Sequence, residues 1–461
     1  MTNSELRRHI FRLAWPIVIS MVLIRGVGIA DVIIIGQTGK NPLAAIGLGQ
    51  QITFLGMALA YALSVGVNVL VSYYTGANKP KRRTRVINTS VWLAVAVGVV
   101  MLVLGNLLSR PVARFMGAEA EVLELAWDYL KLIWTFYTFR VFVYTLTMIF
   151  QGTGDSRTPM YVVTVTNLVH IVLAYVLVYG KLGLPEMSVE GAGYATVVSD
   201  LMGCLMLFFI AMRRGLIRFS AGWMRKKDLL RLFKLGLPVA GERALVSSGI
   251  ALYQAIVLHY SVAAYAATQI VINIEAFSFL PGIAFMQTAQ IMVGQNLGAR
   301  KMDQAVRSGY QALWIPGIFM TLLGVSFLLI PSIWVHMFTS DPEVVPLGII
   351  VCQMAAFMQT PLALTMVFGG GLRGAGETRW VMYITFIGAW GVRLSVALLA
   401  AYVFKTGIFW VWFAMFADWA ARAVLMFWRY RKGGWKLVEE DDDDDDETEI
   451  KPVSGGYNVK K

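Results

Sequence analysis

Two cysteines are all that the 461 residues contain, and both, Cys204 and Cys352, fall inside apolar stretches. That leaves no disulfide framework and no cysteine metal site. Histidine is almost as scarce, at four (His9, His170, His259 and His336), and only His170 stands deep in an apolar run near acids. An enzyme would need a clustered nucleophile, metal ligands or a His/Asp constellation, and no such cluster is present, so neither an enzyme nor a cofactor site is expected. Charged residues make up 15% of the chain against 57% hydrophobic ones, with a mean hydropathy of +0.63. An ordinary soluble domain does not have that balance. A cleavable signal peptide is not expected either: the first apolar run is too long for one and no small-residue cleavage site follows it. The net charge of +12 does not predict nucleic-acid binding, because the basic residues gather in particular loops, as membrane topology requires.

What the chain does have is apolar runs of membrane length from end to end. They fall at 10–36, 44–74, 86–106, 124–151, 159–180, 189–212, 232–258, 264–295, 308–331, 344–370, 379–403 and 408–429. This predicts an all-α polytopic membrane protein with twelve transmembrane helices. Arg7, Arg8 and Arg12 precede the first run, and Lys79, Lys81, Arg82, Arg83 and Arg85 follow the second. Further basic clusters follow the sixth, eighth and twelfth, while the alternate loops hold few. The positive-inside rule then puts both termini on the cytoplasmic side of the cell membrane.

An internal repeat organises these runs. Phe11–Ile17 (FRLAWPI) returns as Phe233–Val239 (FKLGLPV), Gly76–Lys79 (GANK) as Gly298–Lys301 (GARK), and Gln151–Arg157 (QGTGDSR) as Arg373–Arg379 (RGAGETR). Each pair is offset by 222 positions, and pairing Asp200 with Asp418 implies a later offset of 218. An even number of spans per repeat makes the halves parallel, two pseudo-twofold-related six-helix bundles with a central cleft that supports alternating access. The expected organisation is 1–216 for the first lobe, 217–231 for a linker, 232–435 for the second lobe and 436–461 for an acidic tail. That tail carries six consecutive aspartates, repels itself and cannot form a core.

Within the first run sits Asp31, fifteen residues after Pro16 and just beyond Gly26 and Gly28. A carboxylate at membrane depth is costly unless it is paired, protonated or facing water. Two readings stay open: a static partner for an arginine on a neighbouring helix, or a proton- or cation-binding switch. Arg25, Arg140 and Arg393 are the candidate neutralising partners for Asp31, Asp200 and Asp418, and Asp418 with Arg422 forms an i, i+4 pair.

The order L-A-W-P then Asp31, N-P-L-A-A-I-G at Asn41–Gly47, Q-G-T-G-D-S-R-T-P at Gln151–Pro159, A-A-T-Q-I at Ala266–Ile270 and V-G-Q-N-L-G-A at Val293–Ala299 resembles the multidrug and toxic compound extrusion (MATE) transporters. The resemblance covers everything but the tail. It implies efflux of bulky, often cationic amphipathic compounds driven by inward proton or sodium flow, with Asp31 binding the coupling cation and the first helix bending at Pro16. Where the family's fifth span carries an asparagine and an acid, this chain has His170 and Ala174; the family threonine matches Thr196; and an acid some members use on the seventh span falls at Val246.

Thr196 and Asp200 lie one helical turn apart, so Asp200 is read as replacing the missing carboxylate, giving a coupling site of Asp31, His170, Thr196 and Asp200. Titrating carboxylates beside a histidine suit a proton, and sodium, which wants more oxygen ligands, is the alternative. His170 bonded to a backbone carbonyl and Asp200 paired with Arg140 are the structural readings of the same residues. Glu242, Glu275 and Met286 are candidates for the substrate cleft, with internal ion pairing the alternative for the two acids. The expected partners are an amphipathic small molecule and the lipid bilayer, with the chain acting as a monomer. A flippase for lipid-linked saccharides competes with this reading; Arg25, Arg140, Arg243 and Arg393 favour it, and the acids beside them oppose it.

Overall fold

Why the repeat is structural becomes plain at its turns. In the computed structural model, which describes residues 2–218 and 225–435, Asn78 and Arg300 both take left-handed backbone, with φ of 54° and 58°. Gly154 and Gly376 do the same at 91° and 82°. Each pair is one repeat apart, so the matched motifs are helix-ending turns that fix where the next helix starts. The acidic tail, 436–461, lies outside the described residues.

Among the described residues the secondary structure is all helical. In the first half, α1 spans Asn3–Gly36, α2 Lys40–Gly76, α3 Pro80–Phe115, α4 Ala120–Thr135, α5 Tyr137–Gly152, α6 Arg157–Val178 and α7 Ser188–Arg213. In the second half come α8 (Lys226–Tyr260), α9 (Val262–Gly298), α10 (Met302–Ala312), α11 (Trp314–Leu329), α12 (Pro331–His336) and α13 (Val344–Gly374). Then follow α14 (Thr378–Phe386), a π-helical stretch Ile387–Leu394, α15 (Ser395–Leu398), a second π-helical stretch Leu399–Val403, and α16 (Ile408–Lys432). The bounds of α2 and α9, and the starts of α3 and α10, coincide at the repeat offset.

Among the described residues, ten helical stretches are long and apolar enough to cross a bilayer, and eleven if the pair α4 and α5, bent by 54°, is one span. The remaining expected span, 232–258, lies in α8. That helix has 35 residues, about 50 Å at 1.5 Å each, but carries Glu242, Arg243 and His259 within its apolar length. Large apolar side chains on the outer faces, among them Leu107, Leu168, Val172 and Leu322, are exposed, an arrangement suited to lipid.

The two halves depart from each other where the sequence changes. Pro316 and Pro331 interrupt the second copy of α3 at Leu313 and Ile330, since proline supplies no amide donor. The second copy of α6 is π-wound where the first is α-helical throughout.

Contacts divide the chain into two units, Trp15–Ala240 and the remainder, so the first turns of α1 belong with the second half of the sequence. Leu6, Ile10, Leu13 and Ala14 present one apolar face and pack on Phe285, Ala289, Met292 and Val367. Conversely α8 starts at Lys226, inside the stretch expected as linker, and its beginning belongs to the first unit. Buried Asp228 pairs there with Arg85 at 2.7 Å, and Val239 packs on Ala62 and Val65.

In the Trp15–Ala240 unit, α2 packs against α3, α4 and α5, and α7 against α4, α5 and α6. In the other unit the main seam joins α9 and α13. A Cβ on Gly370 would lie 2.1 Å from the Met286 carbonyl oxygen, and one on Gly374 2.2 Å from that of Gln290. Only glycine lets the two backbones meet so closely. Gly374→Ala is therefore expected to destabilise the protein by about 1–3 kcal/mol, read as a lower Tm in detergent.

Candidate functional site

Asp31 lies on α1, five residues before its end, and is 8% exposed. Its partner is not an arginine. His170, from the middle of α6 and also buried, sets Nε2 2.8 Å from Asp31 Oδ1. This replaces the backbone-carbonyl reading for His170 as well as the arginine reading for Asp31. Arg25, one of the expected neutralising partners, is exposed and forms no recorded ion pair among the described residues.

Asp200, on α7, goes elsewhere. Its Oδ2 accepts from Arg140 Nε on α5 at 2.8 Å, the ion pair expected as the alternative. Thr196 is buried one turn before it and donates its hydroxyl to the Ala192 carbonyl at 2.9 Å. So the structure brings Asp31 and His170 together and binds Asp200 to a permanent cation.

Tyr129 links the two pairs and was not anticipated. It is buried on α4, near the Thr196 side chain and within electrostatic reach of Asp31, Asp200 and Arg140. One tyrosine among 18 carries no local signal, so only the packing of α4 on α2 and α7 reveals it.

Pro16 lies within an unbroken α1. Having no N–H, it leaves one turn without its ladder bond. Ser20 Oγ donates to the Pro16 carbonyl at 2.8 Å.

The cleft candidates separate in the second-half unit. Glu242 Oε1 accepts from Arg373 Nη2 at 2.6 Å, and Arg373 Nη1 meets the Met286 sulfur at 3.3 Å. Glu242 is thus internally paired, with Met286 in the same cluster. Glu275, 3% exposed on α9, has Gln359 Nε2 3.4 Å from its carboxylate and no ion pair among the described residues. Asp418 pairs with Arg422 as expected and also with Arg393.

Two further ion pairs hold the repeated turns. Arg214, after α7, binds Asp155 of the first motif, and Arg429 on α16 binds Glu377 of the second at 2.7 Å. Burial acts to push the Asp155 carboxyl up. The Thr158 hydroxyl and amide, with Arg214, outweigh it and hold Asp155 below its ordinary range.

Comparison with known proteins adds an independent line. The MatE family model matches residues 16–176 and 238–399, beginning in each half at the helix proline. Over 437 residues the chain is 30% identical to "Probable multidrug resistance protein NorM" of Thermotoga maritima, covering 94% of each chain. It is 25% identical over 434 residues to "Uncharacterized transporter YisQ" of Bacillus subtilis, covering 92% of this chain and 94% of that one. A solved Vibrio cholerae MATE transporter, VcmN in the bent form, superposes with a TM-score of 0.87 at 17% identity, over 94% of this chain and 97% of that one. At that identity the likeness speaks for the fold.

Proposed function

The chain belongs to the MatE family, and from that premise we propose that it is a multidrug efflux antiporter exporting amphipathic, often cationic compounds against inward proton flow. Efflux is supported by relatives named as multidrug resistance proteins. Proton coupling is supported by the Asp31–His170 contact. With one proton the pair is an imidazolium facing a carboxylate, neutral overall. Without it the pair carries one negative charge in a poorly solvated place, where a charge is costly unless balanced. A cation or a new proton relieves that cost. Proton entry and export of a cationic compound thereby compete for one charge.

Sodium is less well supported. Imidazole nitrogen occupies one Asp31 oxygen and offers no oxygen ligand in return, whereas hard cations collect several. Arg140–Asp200 is a fixed neutral pair, with Tyr129 and Thr196 setting the field between it and the dyad. The weak turn at Pro16 lies on the same helix as Asp31, so a change of charge at Asp31 bends α1 there. Alternating access in the cell membrane, by a monomer with cytoplasmic termini and no cofactor beyond the coupling ion, completes the proposal. The flippase reading has less support, because Arg140, Arg373, Arg393 and Arg422 are each engaged by a carboxylate.

The test is transport of a fluorescent lipophilic cation in proteoliposomes under a proton gradient without sodium, and under a sodium gradient without a pH difference. Drive by the first alone is the expected result; drive by the second alone would reject proton coupling. His170→Asn keeps a partner for Asp31 but removes the imidazole. Its transport is expected to lose most of its dependence on pH, measured as initial rate against pH.

A further inference from the structure

At the repeat offset the second half holds no copy of the Asp31–His170 pair. Tyr253 stands at the counterpart of Asp31, and at the later offset Ala414 stands at that of Thr196. Asp418, the counterpart of Asp200, is fully buried and bound by two arginines, Arg422 at 2.5 and 2.7 Å and Arg393 on the π-helical stretch. Two permanent cations with one carboxylate leave this triad one positive charge in excess. All three side chains are buried, so the excess calls for a neighbouring negative charge.

Glu275 supplies it. Arg393 acts on Glu275 electrostatically, yet no ion pair at contact distance is recorded for Glu275 among the described residues. The ionised acid makes the four-residue cluster neutral, and the protonated acid gives it a charge of plus one. Arg393 on the π-helical stretch is the charged group acting on Glu275, while Gln359 and Cys352 face it from α13 and Tyr253 from α8; Glu242, which acts on Arg422, is itself balanced by Arg373, so that pair adds no net charge. α10, α11 and α12, which also pack on α9, bring no ionisable group to bear on it among the described residues.

Gln359 fits an acid that takes up and gives up a proton. It is fully buried, and its Nε2 donates to the Ala355 carbonyl at 3.1 Å while lying 3.4 Å from Glu275 Oε1. Its own Oε1 is buried and has no hydrogen-bond partner. An ionised Glu275 can only accept, and it receives the long contact from Nε2. A protonated Glu275 donates, and the orphaned Oε1 is the acceptor it needs, with Nε2 keeping the Ala355 carbonyl. One side chain thus serves both states. A bulky amphipathic cation does not fit a carboxyl that is 3% exposed; a proton does.

We propose that Glu275 is a second proton carrier, paired with Gln359 and balanced by the Arg393–Asp418–Arg422 triad, so that each export cycle moves two protons. The inference rests on the proton-antiport reading above, but Glu275 titrates whether or not Asp31 does. Infrared difference spectra of the purified full-length protein between acid and alkaline buffer read carboxyl protonation directly. Wild type is expected to show a protonated-carboxyl signal that is lost in Glu275→Gln and kept in Asp31→Asn, because the proton of the Asp31–His170 pair sits on the imidazole. Gln359→Leu keeps the carboxyl and removes its acceptor, so it shifts the Glu275 signal; it also serves if Glu275→Gln does not fold. In proteoliposomes the reversal potential should give two protons per lipophilic cation for wild type and one for Glu275→Gln. Spectra of Glu275→Gln or Gln359→Leu identical to wild type, or an unchanged proton ratio in Glu275→Gln, would overturn the proposal. A wild type with no imidazole-protonation signal that His170→Asn removes would instead reject the Asp31–His170 reading and leave the Glu275 proposal standing.

Discussion

Asp31→Asn is expected to reduce proton-driven efflux to the background of empty liposomes while the protein still folds. The amide is nearly the same shape and keeps a hydrogen bond to His170 Nε2, which lies 2.8 Å from the present carboxylate, so the link between α1 and α6 is retained. What disappears is the charge. The pair then cycles between neutral and positive instead of negative and neutral, and nothing at that position draws in a cation. Efflux rate and thermal stability measured on one preparation separate the two effects. Asp200→Asn is expected to behave differently: it leaves Arg140 without its carboxylate, so lost stability accompanies any lost transport.

The largest expected effect on stability is at Asp418. Its side chain is wholly buried and holds two buried guanidinium groups. Asp418→Asn leaves both cations uncompensated, and breaking a buried pair from one side costs about 3–5 kcal/mol. The measurable outcome is a large fall in Tm in detergent, with poor yield. Removing the charges together should cost far less, because apolar side chains of similar size replace a buried ion cluster at little penalty. The triple change Asp418→Leu, Arg393→Met and Arg422→Met is thus expected to recover most of the lost Tm.

Much of the architecture was legible in the sequence because it is repeated. Matching GANK with GARK, and QGTGDSR with RGAGETR, located turns whose left-handed residues coincide one repeat apart. Apolar runs gave the helices, since their backbone groups must be satisfied within the span. Less legible was which half each helix end packs on. Leu6, Ile10 and Leu13 form a readable apolar face, but nothing local says that the face meets Phe285 and Val367. The π-helical winding around Arg393 was equally hidden, as neither proline nor an unusual composition marks Ile387–Leu394.

The site divides in the same way. Asp31 stood out as a charge where charge is costly, and His170 as an imidazole among apolar neighbours. That these two meet while Asp200 takes Arg140 is decided by side-chain reach between helices, and the spacing of Thr196 and Asp200 carries no information about it. Glu242 finds Arg373 131 positions away, a pairing that no window of sequence contains.

Proton release by the purified protein tests the central claim most directly. A lipophilic cation is added to the protein in sodium-free, weakly buffered solution, and the pH change is followed for wild type and Asp31→Asn. The Asp31–His170 account predicts that wild type releases protons on binding and that Asp31→Asn releases one fewer. Equal release from both proteins would contradict it.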